Sequence, residues 1–411
     1  KINKTEFKRV SFRFDDQNSL ALKRGLDYKH LDIKSLNLEI NALNYNAEYS
    51  SAEINSLSVK ERSGLNIESF SADVFYGKKN AFLKKLYLKT PQTLLKDEIL
   101  IGYPSIESIA KNLGELSINA TLKKSKLGFK DILLFVPTLD KTDPFKSNPN
   151  AILQINGKVF GKLKSIEIPN LEVSGIGTTK LAASGKITGL PDIDKAYFDL
   201  TIKDLKSSSK DIAQLVSKGT IPNSIQLPST FSAKGIFKGT ITKFNTNMNL
   251  VSSFGNAKIK ATLDRSIKNK EKYDAQTELN NFDVGKFIKN DSIGKVTLKA
   301  NIKGSGFNPK TATASFNGAI QKAYYNKYTY QNLNLKGTIH NGNFNATAVA
   351  KDPNLTFDLV SNGSFKGKYP KGKIQLNVDI ADLEKLNLHA GPMKIRGVID
   401  ADIQSANIDY L

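Results

Sequence analysis

Histidines and paired carboxylates are the residues with which this chain could perform acid–base or metal chemistry, and they are few. The only histidines among the 411 residues are His30, His340 and His389, and none stands at metal-ligand spacing from a cysteine, a histidine or a carboxylate. The closest carboxylate pair is Asp15 and Asp16, and adjacent residues of a strand point to opposite faces. That pair therefore fits a turn better than acid–base catalysis.

Other signatures of catalysis are missing from the sequence as well. The chain contains no cysteine, which excludes thiol chemistry, disulfides and cysteine-ligated metals. No Gly-x-Ser-x-Gly elbow, P-loop or Gly-x-Gly-x-x-Gly turn opens a helix after a strand. We therefore predict that the protein is not an enzyme and has no catalytic residues, no metal site and no cofactor.

The formal charge of +21 and the pI near 9.6 raise the question of nucleic-acid or anionic membrane partners. Lysines are spread along the chain, with short clusters only at residues 123–126 and 266–272. No nucleic-acid-binding motif accompanies them, and the tyrosine-rich segment 324–330 suits a strand better than a base-stacking platform. We predict no nucleic-acid partner, and lysines on the wet face of strands, which is compatible with attraction to anionic headgroups.

Hydrophobic periodicity predicts strands from end to end. Leu333, Leu335 and Ile339 fall in one phase, the Asn-Gly pair at 341–342 predicts a hairpin turn, and Phe344 opens the next row. The predicted fold class is all-β: an elongated, mostly antiparallel, curled sheet with a few short helices. At about ten residues each, the chain would hold roughly thirty strands.

So long a sheet cannot leave one whole apolar face in water. The strands either pack on one another as sandwiches or curl into a trough whose inner wall covers something else, for which acyl chains are the obvious cargo. The residues that we predict to line such a lipid-binding groove are Phe231, Ala233, Phe237, Ile241, Ile259, Leu263, Val296, Leu298, Ile302, Leu333, Leu335, Ile339, Phe344, Leu355, Phe357, Leu359, Ile374, Leu376, Val378, Ile380, Ile395, Ile399 and Ile403.

Helix signals are scarce and short. Stripes with start and stop residues predict helices near 104–114 and 208–218, and a weaker stripe covers 282–291. A diffuse repeat joins a strand, an Asp-bearing linker or helix and a second strand. The Pro-rich segment 136–150 predicts a loop between a first section, 1–135, and a second section, 151–411, of the same groove.

Several segments resemble the TamB branch of the AsmA-like proteins of diderm bacteria. They are "HLDIKSLNLEINALNYN" at 30–46, "INSLSVKERSGLNIESFSADV" at 54–74, "LKKLYLKTPQTLL" at 83–95, "GKVFGKLKSIEIPNLEVSGIGTTKLAASGKITGLP" at 157–191, and the stretch 280–355, in which a Tyr-rich hairpin precedes an "L-x-L-x-G" pattern. The likeness covers most of the chain, but it rests on loose strand-and-turn patterns.

This resemblance implies a periplasmic, inner-membrane-anchored protein that carries phospholipid between the two membranes along an apolar β-groove. It also implies a partner, an outer-membrane Omp85-type barrel, and a role in assembly of outer-membrane proteins. The chain opens in strand-like residues and has no apolar run long enough to span a bilayer, so we expect a section of a longer protein whose anchor lies outside it.

Two other kinds of function fit the same alternation. One is a structural or adhesive array of β-sandwiches, whose apolar faces cover each other. The other is a periplasmic scaffold or chaperone that offers free sheet edges to unfolded outer-membrane strands. The sequence separates the three poorly, because all of them need strands with one apolar face.

Overall fold

The computed structural model describes residues 1–106, 112–216, 219 and 221–405. Within them the protein is built of antiparallel strands, and its three α-helices are only five to seven residues long. This confirms the predicted all-β class, the antiparallel pairing and the scarcity of helix. The chain divides into two compact units, residues 1–220 and 221–411.

The first unit contains eleven strands. They are β1 (Ile2–Asp15), β2 (His30–Tyr45), β3 (Tyr49–Glu61), β4 (Asn66–Gly77), β5 (Asn80–Lys89), β6 (Leu94–Gly102), β7 (Ser117–Gly128), β8 (Ile152–Lys162), β9 (Ser165–Ile176), β10 (Thr179–Thr188) and β11 (Tyr197–Ser207). Each pairs antiparallel with the strand before it, so the unit is a simple meander.

The second unit contains another eleven strands in the same arrangement. They are β12 (Phe231–Gly239), β13 (Lys243–Ser252), β14 (Gly255–Asp264), β15 (Lys272–Asp283), β16 (Ile293–Ser305), β17 (Thr313–Tyr325), β18 (Tyr328–His340), β19 (Asn343–Asp352), β20 (Leu355–Ser364), β21 (Lys371–Asp382) and β22 (Lys394–Ile403). Because the strands alternate in direction, successive connections alternate between the two ends of the sheet.

The strands are fewer and longer than expected. The described residues form 22 strands of 9 to 16 residues, where the sequence predicted roughly thirty shorter ones. The predicted Asn-Gly hairpin is confirmed: Asn341 and Gly342 both have positive φ, and His340 pairs with Asn343 across a two-residue turn.

Three short helices follow odd-numbered strands. α1 (Phe129–Phe135), which was not predicted, follows β7, α2 (Ser209–Leu215) follows β11, and α3 (Val284–Ile288) follows β15. α2 and α3 agree with the predicted stripes at 208–218 and 282–291, although residues 217 and 218 lie outside the described residues. The core of the predicted helix near 104–114 also lies outside them, and a 3₁₀ turn at Leu113–Glu115 follows.

The segment 136–150 is irregular apart from a 3₁₀ turn at Pro137–Lys141, but it does not divide the chain. The strands that flank it, β7 and β8, pair directly with one another, and the division of the chain into compact units falls after residue 220 instead. The first unit is more irregular than the second: Ser35, Ala42, Lys85, Asp97 and Lys124 lie within its strands with positive φ. These positions coincide with β-bulges.

Candidate functional site

One face of the second unit is formed by side chains that stand directly opposite one another on all eleven strands. Directly opposed residues of antiparallel strands share a face, so the register gives four parallel rungs, here called A to D. Rung A is Ala233, Leu250, Ala257, Leu279, Leu298, Ile320, Leu333, Ala350, Phe357, Val378 and Gly397. Rung B is Gly235, Met248, Ile259, Thr277, Ala300, Gly318, Leu335, Ala348, Leu359, Leu376 and Ile399.

The other two rungs continue the same face toward the opposite end of the strands. Rung C is Phe237, Thr246, Ala261, Ala275, Ile302, Phe316, Gly337, Ala346, Ser361, Ile374 and Ala401. Rung D is Gly239, Phe244, Leu263, Tyr273, Gly304, Ala314, Ile339, Phe344, Gly363, Gly372 and Ile403. None of the four rungs contains a charged residue. We call this surface the apolar face.

The other face of the same sheet is polar. One of its rungs reads Lys238, Asn245, Thr262, Asp274, Lys303, Ser315, Thr338, Asn345, Asn362, Lys373 and Asp402. Lysines on this face pair with acids across strands, as Lys303 does with Asp274 at 3.3 Å and Lys299 with Glu278 at 3.3 Å. Over rungs A to D the sheet is therefore two-sided, with charged side chains on the polar face only.

Among the described residues, no second layer of side chains buries the middle of the apolar face. The large residues of rung B, such as Met248, Ile259, Leu335 and Leu376, are only half-buried, and Ile399 is exposed. A sandwich partner would bury such side chains, because facing sheets interdigitate across a dry core. In the described part of the second unit, this face therefore remains partly open.

The register brings the predicted groove residues together with two exceptions. All of those on β12 to β22 lie on the apolar face except Ile380. A bulge between Val378 and Ala381 places Ile380 opposite Thr356, on the polar face, where it is 47% exposed. Ile241 follows the end of β12 and lies in the turn to β13, also exposed.

One end of the apolar face, beside rung A, is closed by α3. Phe254, Ala257 and Phe282 form a buried cluster against which Val284 and Phe287 of α3 pack. The Phe282 ring meets the rings of Phe254 and Phe287 edge-on at 6.2 and 6.0 Å. The odd-numbered strands of the second unit finish at this end, which we call the capped rim.

A second cluster closes the capped rim further along the sheet. Leu386, in the segment after β21, is fully buried against Val378 and Ala381. Tyr328 and Phe357 pack around it. The linkers between the strands in two units of the predicted repeat, α3 and residues 383–388, therefore cover one end of the apolar face.

Buried carboxylates hold the turns at the capped rim. Asp283 accepts a hydrogen bond from the backbone N–H of Lys286 at 3.0 Å and closes the first turn of α3. Asp352 accepts from the Tyr328 hydroxyl at 2.6 Å and from the backbone N–H of Gln331 at 2.8 Å. Burial would raise the pKa of Asp283, but the hydrogen bonds and the charge of Lys286 outweigh it and hold that pKa below its ordinary value.

The first unit uses the same device at the ends of its odd-numbered strands. Asp211 of α2 accepts hydrogen bonds from the backbone N–H and the hydroxyl of Thr178, at 2.9 and 2.7 Å, and so ties α2 to the turn between β9 and β10. Glu61 accepts from the backbone N–H groups of Ser63 and Asp32. Burial opposes ionisation at both carboxyls, but these hydrogen bonds hold the pKa of Asp211 and of Glu61 below the ordinary range.

The first unit also has apolar rungs, which the sequence-based list of groove residues omitted. One runs through Phe7, Leu38, Leu57, Phe70, Leu88 and Leu95. Another runs through Ser125, Ile155, Val173, Leu181 and Leu205. Each bulge shifts the following residues of its strand to the opposite face. A search for strict alternation therefore misses these rungs, which become visible only when the alternation is allowed to change phase at each bulge.

His30 is buried and lies 3.0 Å from Asp27, but across the described residues no three histidine or acidic side chains could hold a metal ion together. No helix in the described ranges has the length and apolarity needed to cross a membrane. The chain matches no protein-family model, no curated protein and no solved structure.

Proposed function

We propose that this protein carries lipid, with acyl tails lying on the apolar face. The observation that supports the proposal is the set of four rungs without a charged residue, continuous over eleven strands and only partly covered. At about 4.8 Å between neighbouring strands, the face extends over roughly 48 Å of sheet within the second unit. A lipid can shift along it without meeting a charge.

The width of the face suits a lipid tail. From rung A to rung D the face covers about 20 Å along the strands, since side chains of one face repeat about every 6.8 Å. The tails of one membrane leaflet occupy roughly 15 Å, half of the hydrocarbon core. Exposing a tail to water costs about 0.8 kcal/mol per CH₂ group, and an apolar surface of this width removes much of that cost.

The resemblance to the TamB branch extends the proposal to the parent protein. There the chain would form part of a periplasmic bridge, anchored in the inner membrane, that delivers phospholipid to the outer membrane. An outer-membrane Omp85-type barrel would be its partner, and assembly of outer-membrane proteins would benefit from the supply. The half-buried side chains of rung B argue against the alternative of self-covered sandwiches.

The test is mass spectrometry of lipid that co-purifies with the chain in a detergent-free preparation. We expect phospholipid at several molecules per chain. The double variant Leu298→Asp with Leu335→Asp should retain much less, because a charge on an apolar surface repels tails. The matched control is Asn301→Asp with Asn334→Asp, which adds the same charge to the opposite face of the same strands, β16 and β18.

The lipid content of the wild type is interpreted without reference to the variants. The lipid content of a variant is compared with it only when circular dichroism shows that the variant has the same strand content as the wild type. Equal lipid loading of a folded Leu298→Asp, Leu335→Asp protein and of its control would contradict the apolar face as the lipid site. A folded wild-type chain without lipid would contradict the proposed function.

A further inference from the structure

The two ends of the apolar face differ in charge. At the capped rim Lys286 pairs with buried Asp283 at 3.0 Å, and Lys385 and Lys394 pair with buried Asp382 at 3.9 and 3.8 Å. There α3 and residues 383–388 cover the strand ends. At the other end, where even-numbered strands finish, the connections are short loops rich in lysine. We call this end of the second unit the basic rim, and its exposed cations are Arg265, Lys268, Lys270, Lys272, Lys310, Lys366, Lys368 and Lys371.

These cations have no acidic partners among the described residues. At this rim the ion pair within the second unit is Lys243 with Asp264, at 3.0 Å. The equivalent end of the first unit is balanced instead: Lys78 pairs with Glu48 at 2.6 Å, and Lys162 and Lys164 both hold Glu115. Those two lysines lower the pKa of Glu115 to about 2. The unpaired charge is therefore a property of the second unit and not of the sheet in general.

Aromatic pairs line the apolar face beside the basic rim. Tyr273 of rung D stacks on Phe307 at 5.4 Å. Phe344 of the same rung meets Phe365 at 4.8 Å, and Phe244 meets Phe237 of rung C at 5.1 Å. Aromatic rings flanked by lysines are typical of the boundary between lipid tails and headgroups, where an apolar body and a charged tip are both satisfied.

We infer that lipid on the apolar face lies along the strands, with its tail toward the capped rim and an anionic, phosphate-bearing headgroup at the basic rim. This inference rests on the proposed function and adds the headgroup chemistry and the orientation. The width of about 20 Å between rungs A and D accommodates a tail in that orientation, which places the headgroup beside the unpaired cations of the basic rim. Buried carboxylates and lids make the capped rim unsuitable for an anion.

Binding of three amphiphiles with one tail and different headgroups tests the inference. The probes are dodecyl phosphate, dodecyl maltoside and dodecyltrimethylammonium, each below its critical micelle concentration, titrated calorimetrically into delipidated chain. We expect dodecyl phosphate to bind on the order of tenfold more tightly than the maltoside, because several modest surface attractions add. The trimethylammonium probe should bind most weakly, and salt should reduce the difference.

A charge-matched pair of variants locates the effect. The combination Lys268→Gln, Lys310→Gln and Lys366→Gln at the basic rim should abolish the preference for dodecyl phosphate while maltoside binding persists. The control, Lys260→Gln, Lys322→Gln and Lys336→Gln, removes the same charge from the polar face and should leave the preference intact.

The outcomes separate the inference from the proposed function. Failure of all three probes to bind would overturn both. Equal binding of the three, or an undiminished phosphate preference in the basic-rim variant, would overturn only the inference. The inference alone would also be overturned if inorganic phosphate competed for the site as strongly as dodecyl phosphate does, because that would indicate a site for any anion. A further outcome is that the basic-rim variant loses binding to phosphatidylglycerol vesicles while it binds dodecyl phosphate as the wild type does. That result would overturn the inference in favour of a surface that docks on a bilayer.

Discussion

The Asp283 carboxylate lies 3.0 Å from the backbone nitrogen of Lys286 and accepts its hydrogen bond at the start of α3. The acid is the last residue of β15 and is buried together with Phe282, whereas the rest of the strand is half-buried or exposed. Through this contact the end of β15 fixes the helix that covers one end of the apolar face. One hydrogen bond thus both caps the helix and holds it over the end of the apolar face.

Removing this cap should weaken the second unit. Asp283→Ala should reduce the free energy of unfolding by about 1 kcal/mol, the usual effect of losing an N-cap side chain. Asp283→Asn keeps an acceptor and should cost clearly less. Urea denaturation followed by circular dichroism measures both changes. Equal losses for the two variants would show that charge, rather than capping, is what Asp283 contributes.

Acid should destabilise the first unit through Asp211. The pKa of Asp211 lies below its ordinary value of 3.8 in the folded chain, because Thr178 and Thr179 hydrogen-bond the carboxylate more strongly than burial opposes it. A carboxyl with a lowered folded pKa contributes stability that is complete above the unfolded pKa and disappears as the pH falls through the folded value.

Asp211→Asn should therefore lower stability at neutral pH and flatten its decline below about pH 4. Urea denaturation at a series of pH values measures both effects. Glu172→Gln removes a carboxyl from the first unit outside this hydrogen-bond network and serves as the control. If Asp211→Asn and wild type lose stability in parallel on acidification, Asp211 has no part in the decline.

Sequence patterns predicted the strands because each strand has its own alternation of apolar and polar residues. They could not predict features that depend on how several strands pair. The bulge that turns Ile380 outward depends on the pairing of β20 with β21. α1 has no side-chain cap at Gly128 and gains its burial from Phe129 against Phe145, so no local signal marked it. The basic rim becomes visible only when the turns are assigned to alternate ends of the sheet.

The placement of Ile380 gives a direct test of the register. Ile380→Lys should change the free energy of unfolding by no more than about 0.5 kcal/mol, because the side chain already faces solvent. Val378→Lys should cost several times as much, because it buries an ammonium group in the cluster around Leu386. Similar losses for the two substitutions would show that the bulge is misplaced.

The lid after β21 should depend on Leu386. Leu386→Ala should cost about 2 to 5 kcal/mol, since the side chain is fully buried and its removal leaves a cavity. Leu388→Ala, two residues on and 54% exposed, is the matched control and should cost little. Thermal denaturation of both variants checks the difference, and equal stability of the two would show that the segment does not pack on the sheet.

The most direct test of the central claim is the lipid content of the chain itself, determined by mass spectrometry after purification without detergent. The account predicts phospholipid at several molecules per folded chain, and less in the folded variant with Leu298→Asp and Leu335→Asp. A folded wild-type chain that carries no lipid would contradict it.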